Sequence, residues 1–412
     1  MPPSATLPQT PPAVAGCSRT PGWTVGSSWI RTPEGRSPLD RLAAGPCWGD
    51  TARNLRDATR VRLASRAALP DGREAFNGSE MSAAAGNRER SGGGHAKRPR
   101  VFLCVPTHTT RHLAACLCGL ARQRDLPEGV CVTCDGDTPD LAGCIDGAWI
   151  RASLALRKRG APPPPLLHAS RAHAGAARLN QVRNNGLRSI EAAFAPRDED
   201  WIITLDGDSL MQEDAIETLR GVQHADVAIP YRVNLDERTT LGLTIETILD
   251  PLWTGVGSLI DAHASDELRR RQRRYERQWL ARRLGLQHAG LLKGHKPKVI
   301  GGHHAVRVGA MRSVNGYDEA YEGYGYDDDD LSRRLHAVGA RCTIVVDTMR
   351  AVHLWHPTRA PTRPTDAPGY ATFSQRGRPA FCSLGLASPA AQARVSVRRV
   401  PDGAPDDAAC AR

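Results

Sequence analysis

The residues with the most chemistry in them are Tyr324-Gly325-Tyr326-Asp327-Asp328-Asp329-Asp330-Leu331. Four carboxylates in a row are not core material, because unpaired buried charge is very costly. Asp is a poor residue inside a helix but a favoured one in its first turn, facing the positive end of the dipole. A solvated acidic helix start therefore explains the charges. It does not explain the glycine–aromatic lead-in, which brings backbone close to the carboxylates. A carboxylate wall that accepts a proton and orients hydroxyl groups explains both. A second stretch, Trp201-Ile202-Ile203-Thr204-Leu205-Asp206-Gly207-Asp208, is an apolar run stopped by two carboxylates with one glycine between them. Taken alone such a pattern is often just a turn. At the carboxyl end of a strand it becomes a candidate for holding a divalent cation and a diphosphate. A diphosphate leaving group needs its growing negative charge neutralised, and carboxylates are hard ligands suited to that cation. In a third stretch, Val352-His353-Leu354-Trp355-His356-Pro357, two close histidines offer a further metal ligand from a distant part of the chain.

Positioning these groups requires strands that end together. Regular structure is expected to begin at Arg100, with the apolar run to Thr107 reading as a buried parallel strand stopped near Pro106. Residues 111–123 have helical spacing, and a second strand, Val130–Cys134, ends in Asp135-Gly136-Asp137. Strand, helix, strand implies a right-handed parallel unit with ligands at the carboxyl ends. Pro106, Thr107 and Asp135 then share one crevice, where Asp135 can accept from a base N–H or a ribose hydroxyl; an Asp-Gly turn is the plain alternative. Pro162–Pro165 is a stiff spacer before a strand at Leu166–His168. In the helical segment after Gly175, Arg178 and Arg183 suit phosphate oxygens, although a solvated helix face suffices for at least one of them. Further strands are expected at Val227–Tyr231, Val299–Arg307 and Arg341–Asp347. Within 264–284, Leu268, Gln272, Tyr275 and Trp279 share a helix face amid arginines. That face either packs on the domain or contacts an acidic membrane surface. Gly285–Lys298, rich in Gly, His and Lys, has the composition of a lid.

Composition sets the outer limits. The 412 residues carry a net charge of +11, which favours anionic partners. No run of about 18 apolar residues is present to cross a membrane, and the start lacks the charged-then-apolar order of a signal peptide. A cytoplasmic location is expected, with contact to the inner face of the cytoplasmic membrane left open through the 264–284 helix. The 11 cysteines are scattered. Cys116, Cys118, Cys131 and Cys134 lack a second CxxC pair, so small reduced core residues are expected rather than zinc ligands. Residues 1–99, rich in Pro, Gly, Ser and Ala, read as a disordered extension, with Met81 as an alternative translation start. Residues 358–412 read as a tail of little fixed structure.

Taken together, Pro106-Thr107, Asp135-Gly136, Arg183-Asn184-Asn185-Gly186 and Asp206-Gly207-Asp208 resemble, in order and spacing, the glycosyltransferases of family 2. Gly316-Tyr317-Asp318-Glu319, Asp327 to Leu331 and Val352-His353 resemble the acceptor-side half shared with β-1,4-galactosyltransferases and chondroitin-polymerase-type enzymes. The resemblance covers about residues 100–357. It implies an α/β fold of GT-A type (Rossmann-like), a mixed, mostly parallel sheet flanked by helices. That single catalytic domain would have a nucleotide-sugar half at 100–210 and an acceptor half at 211–357. It further implies an inverting transfer from a nucleotide-diphosphate sugar, UDP favoured, to a hydroxyl of a glycan, lipid-linked or small-molecule acceptor, with Mn²⁺ or Mg²⁺ as cofactor. Residue by residue, Pro106, Thr107, Asp135, Arg178, Arg183, Asn184 and Asp206 would bind the donor. Asp208 and His353 would ligate the metal, His356 being the fallback. Tyr324, Gly325 and Asp327 would hold the acceptor, and Asp328, the base, would be catalytic together with Asp327. Asp327 stands where the family frequently has Glu, which touches the acceptor-orienting role and leaves the base unaffected.

Two other classes compete. A basic nucleic-acid or anionic-surface binding module accounts for the charge, but aromatics are only 5% of residues, which leaves little for base stacking, and four consecutive Asp stay unexplained. A sugar nucleotidyltransferase would carry a glycine-rich basic phosphate loop after its first strand, where this chain has Thr107-His108-Thr109-Thr110.

Overall fold

The computed structural model describes residues 98–173, 175–263, 266–357, 363–391 and 395–403. The expected extension before Arg98 and the alternative start at Met81 lie outside the described residues. The strands are β1 (Val101–Thr107), β2 (Gly129–Cys134), β3 (Leu166–Arg171), β4 (Trp201–Leu205), β5 (Ser209–Met211), β6 (Val227–Ile229), β7 (Tyr231–Asn234), β8 (His303–Arg307), β9 (Cys342–Ile344), β10 (Arg350–His353) and β11 (Val395–Arg399). The helices are α1 (Leu113–Leu120), α2 (Pro139–Lys158), α3 (Leu179–Phe194), α4 (Ala215–Gly221), α5 (Glu237–Leu241), α6 (Ile245–Leu249), α7 (Gly255–Ala262), α8 (Asp266–Arg283), α9 (Val308–Ser313), α10 (Asp327–Ala337) and α11 (Tyr370–Phe373).

An eight-stranded sheet runs in the order β11-β3-β2-β1-β4-β8-β6-β9, and a three-stranded sheet in the order β5-β10-β7. β1 pairs in parallel with β2 and β4, and β2 with β3, while β8 and β11 enter antiparallel. This is the mixed, mostly parallel sheet flanked by helices that the motifs imply. β1 is apolar and buried throughout because both faces are covered. Its alternating side chains feed two cores. Val101, Leu103 and Val105 pack with Leu117 of α1 and Trp149 of α2, whereas Phe102 and Cys104 pack with Leu187 and Ile190 of α3. Among the described residues no helix is long and apolar enough to cross a membrane. Among the described residues Cys104, Cys116, Cys118, Cys131, Cys134 and Cys382 are buried and Cys144 and Cys342 half-buried, burial pushing the Cys104 thiol up to about 12.

Three features depart from the sequence reading. The run Val227–Tyr231 is two strands, because Pro230 has no N–H to continue a ladder and the chain passes there from the large sheet to the small one. The 20-residue α2 carried its own start signal: the Thr138 side chain accepts from Leu141 N, and Pro139 follows at the first helical position. The described parts of the stretch after Pro357, residues 363–391 and 395–403, have fixed structure. They supply β11, which closes the sheet edge against β3, and they bury Cys382 and Leu386 against the core. β11 is short and half polar, which blunts an edge but hides the strand from pattern reading.

Close packing of α3 on the sheet depends on Gly186, where an added Cβ would lie 2.5 Å from Cys104 Sγ and 3.0 Å from Thr133 Cγ2. Gly186→Val is expected to destabilise the fold by about 2–3 kcal/mol and to lower Tm by roughly 4–12 °C in thermal unfolding.

Candidate active site

The strand ends meet as the topology requires. Gly207 N donates to Pro106 O at 3.2 Å, Asp135 N to Thr107 O at 3.1 Å, and Asp206 N to Gly302 O at 3.0 Å. Pro106, Thr107, Asp135 and Asp206 therefore line one edge. Asp135 is nearly buried. Its carboxylate pairs with Arg171 and, at 3.2 Å, with His173, and it accepts from Arg178 N at 3.2 Å. It thus fixes the start of α3 at the crevice wall.

The small sheet brings the metal candidates together. Ser209 of β5 faces His353 of β10 in register, and Leu354 N donates to Asp208 O at 2.9 Å. Asp208 Oδ2 then sits 3.3 Å from His353 Nε2 and 3.2 Å from His356 Nε2. The three ligating atoms lie within 4.8 Å of one another. Burial pushes the Asp208 carboxyl up, but the His353 hydrogen bond and both imidazoles bring it below the ordinary value. Asp206, two residues away, goes the other way: burial raises it to about 6 against the pull of Arg183, and Asp208 adds to the rise. One carboxylate and two imidazoles fit a first-row divalent cation such as Mn²⁺ better than Mg²⁺, which prefers oxygen and keeps its water. His356 is thus an equal member of the cluster.

The acidic block divides into four different roles. Gly325 and Tyr326 turn the chain with φ of 91° and 64°, in the left-handed region, and α10 starts directly after. Tyr326 stacks on Phe373 and meets Tyr370 edge-on, with ring centroids 5.0 and 5.4 Å away, while Tyr324 stays half exposed. Asp327 pairs with buried Arg183. Asp328 lies 3.2 Å from Lys298 Nζ; burial raises its pKa, Lys298 opposes the rise, and Asp327 and Asp329 reinforce it. Asp329 is held by Lys298 at 2.7 Å and by Lys296 and His295 at 3.4 Å. Asp330 is fully buried and is answered by Arg333 and, at 2.8 Å, by Arg334.

Both halves meet across the turn Gly301-Gly302. A Cβ on Gly301 would lie 3.6 Å from the Asp328 carboxylate, and one on Gly302 would collide with Asp206 and Arg232. Arg183 spans the same gap: it reaches Asp327, Asp206 at 3.8 Å and Gly301 O at 3.0 Å, with its guanidinium 5.2 Å from the Tyr317 ring centroid.

Residues 287–357 match the family described as the N-terminal domain of galactosyltransferase. That segment holds the Gly301-Gly302 turn, the acidic helix start and both histidines, and it agrees with the glycosyltransferase resemblance of the motifs. No curated protein matches the chain. Among solved structures, S. aureus TarS (residues 1–349) is similar at 14% identity and TM-score 0.37, covering 62% of this chain and 60% of that one. GalNAc-T7 with UDP, GalNAc and Mn²⁺ is similar at 12% identity and TM-score 0.38, over 66% of this chain and 47% of that one. The chain thus spans about 60% of the length of the first of these.

Some expected donor contacts are built otherwise. Asn184 is wholly buried and committed to the backbone of Tyr317 on both sides and to Glu319, so no ligand reaches it. Arg183 is also buried and serves the carboxylates rather than a phosphate. Arg178 pairs with Glu322 at the rim. In α8, Gln272 and Trp279 donate to backbone oxygens of Val346 and Cys342, so this face packs on the domain and leaves the arginines other than Arg282 outward; the side chain of Leu268 lies outside the described residues. Sequence reasoning missed Gly301, Gly302, Arg232 and Lys298, none of which sits in a local pattern that points to the site.

Removing the buried cation alone strands two carboxylates. Arg183→Met is expected to lose about 3–5 kcal/mol of stability, and Asp327→Asn in that background should recover about 1 kcal/mol or more by thermal unfolding. Strictly additive losses would contradict the shared pairing.

Proposed function

We propose that the protein is an inverting, metal-dependent glycosyltransferase that moves a hexosyl group from a nucleoside-diphosphate sugar, UDP favoured, to a hydroxyl of a glycan or other acceptor. One observation carries this reading: the Asp208–His353–His356 cluster adjoins Asp206, and the carboxylates of Asp206 and Asp328 lie against the neighbouring glycines Gly302 and Gly301. Residues 100–210 would supply the donor side and residues 211–357 the acceptor side. Asp206 would accept from a ribose or donor-sugar hydroxyl, and Asp135 would hold the crevice wall against the nucleoside. A divalent cation held by Asp208, His353 and His356 would neutralise charge growing on the diphosphate.

Asp328 takes the proton of the acceptor hydroxyl while that oxygen forms its bond to the anomeric carbon. The bond from that carbon to the diphosphate oxygen breaks on the opposite side, so configuration inverts. Burial and its acidic neighbours raise Asp328, which suits a base working nearer neutrality, while Lys298 keeps the carboxylate in place. Asp327 anchors the helix start through Arg183, and exposed Tyr324 with Gly325 forms the acceptor's approach.

The test is release of nucleoside diphosphate from a panel of nucleotide sugars. Release is expected from one donor with Mn²⁺, to vanish with chelator, and to be lost in Asp208→Asn; metal-independent release would contradict the reading. Asp328→Asn is expected to lower kcat by about 10²–10⁴-fold while leaving donor binding intact. The rate of the unsubstituted protein should rise with pH along a limb lying above the ordinary Asp value of about 4, because burial raises this group. A flat profile, or wild-type rates in Asp328→Asn, would remove it as the base.

A further inference from the structure

A second recess of about 930 Å³ lies behind the acidic helix, between the end of α8, the loop 285–298 and the segment that follows α10. Arg282, Arg283, Arg333 and Arg341 line it together with Trp279 and His336, and the lining contains no Asp or Glu. Arg333 is answered by Asp330 and Arg341 by Asp226. Arg282 and Arg283 have no carboxylate within ion-pair distance among the described residues. Arg282 is half-buried and gives two N–H groups to the carbonyls of Lys296 and Gly294, both at 2.7 Å. Burial lowers its pKa, with no carboxylate beside it to offset the penalty. Arg283 is laid over the Trp279 ring at 4.8 Å. Arg282 is thus answered by backbone carbonyls and Arg283 by an aromatic face, so an anion entering the recess meets two guanidinium groups with no carboxylate competing for them.

The loop that Arg282 ties down also reaches the acidic helix. His295 and Lys296 hold Asp329, and Lys298 holds both Asp329 and Asp328. We propose that this recess is a second anion site, taking phosphate or carboxylate groups either free or carried on a glycan, and that its occupant fixes the 285–298 loop. Charge-assisted bonds from Arg282 and Arg283 would bind the anion, with the outer arginines supplying long-range attraction.

The test is calorimetry on the full chain in chelator, with inorganic pyrophosphate and with an oligogalacturonate, alongside hydrogen exchange of residues 285–298. Binding by either probe is expected, weaker at higher salt, with slowed exchange in the loop. Pyrophosphate alone sufficing would identify the free anion, and oligogalacturonate alone the anionic glycan. Arg283→Gln, which touches no loop carbonyl, should weaken binding about tenfold or more, and Arg282→Gln/Arg283→Gln further still. The proposal is overturned by no binding of either probe, or by binding only to vesicles of anionic phospholipid. It is equally overturned by affinity unchanged in Arg283→Gln, or by full displacement with UDP and Mn²⁺.

Discussion

Arg183 is the interaction on which the rest of the site depends. Its guanidinium is almost fully buried, and burial alone would lower its pKa, yet Asp327 and Asp206 together raise it. A buried cation is tolerated only when its partners are close and well placed. Here the partners come from three places: the end of β4, the start of α10 and the Gly301 carbonyl. Satisfying one cation therefore fixes the spacing between the two sets of carboxylates. A second layer stiffens it. His304 Nδ1 donates to Ile300 O at 2.8 Å, which leaves Nε2 to accept from the Tyr317 hydroxyl, also at 2.8 Å, and Thr204 meets the same hydroxyl at 2.8 Å. Asn184 clasps Tyr317 from the opposite side.

With that frame set, four identical side chains become four different groups. Asp330 and Asp329 are consumed by arginines and lysines, and Asp327 by Arg183. Asp328 has Lys298 as its cationic partner, shared with Asp329, in surroundings that disfavour its charge. The difference lies wholly in what each helical position meets, since the residue type is constant. The same principle separates Asp206 from Asp208: burial raises Asp206 against the pull of Arg183, whereas two imidazoles draw Asp208 below its ordinary value against burial.

This division marks what was legible in the sequence. The ends of β1, β2 and β4 could be read because apolar runs stop at Pro106, Asp135 and Asp206, and strand ends in a parallel sheet converge by topology. His353 and His356 could be read as a pair because a local motif kept them together. Arg183 and Asn184 were recognised but misassigned, since a helix with exposed and buried polar faces looks the same in sequence until its packing partners are known. Gly301-Gly302 gives no signal of its own, because its value lies in side chains it lets approach from elsewhere. β11 escaped because its pairing is determined by the open edge of β3 rather than by any pattern in Val395–Arg399.

The central claim is that Asp208, His353 and His356 form one metal centre facing Asp328. The most direct measurement is anomalous diffraction from crystals soaked with Mn²⁺ and UDP. The account predicts a single strong peak among Asp208 Oδ2 and the two imidazole Nε2 atoms, with the diphosphate beside it and on the Asp206 side of Gly301-Gly302. A peak elsewhere, or UDP bound with no metal between those three side chains, would contradict it.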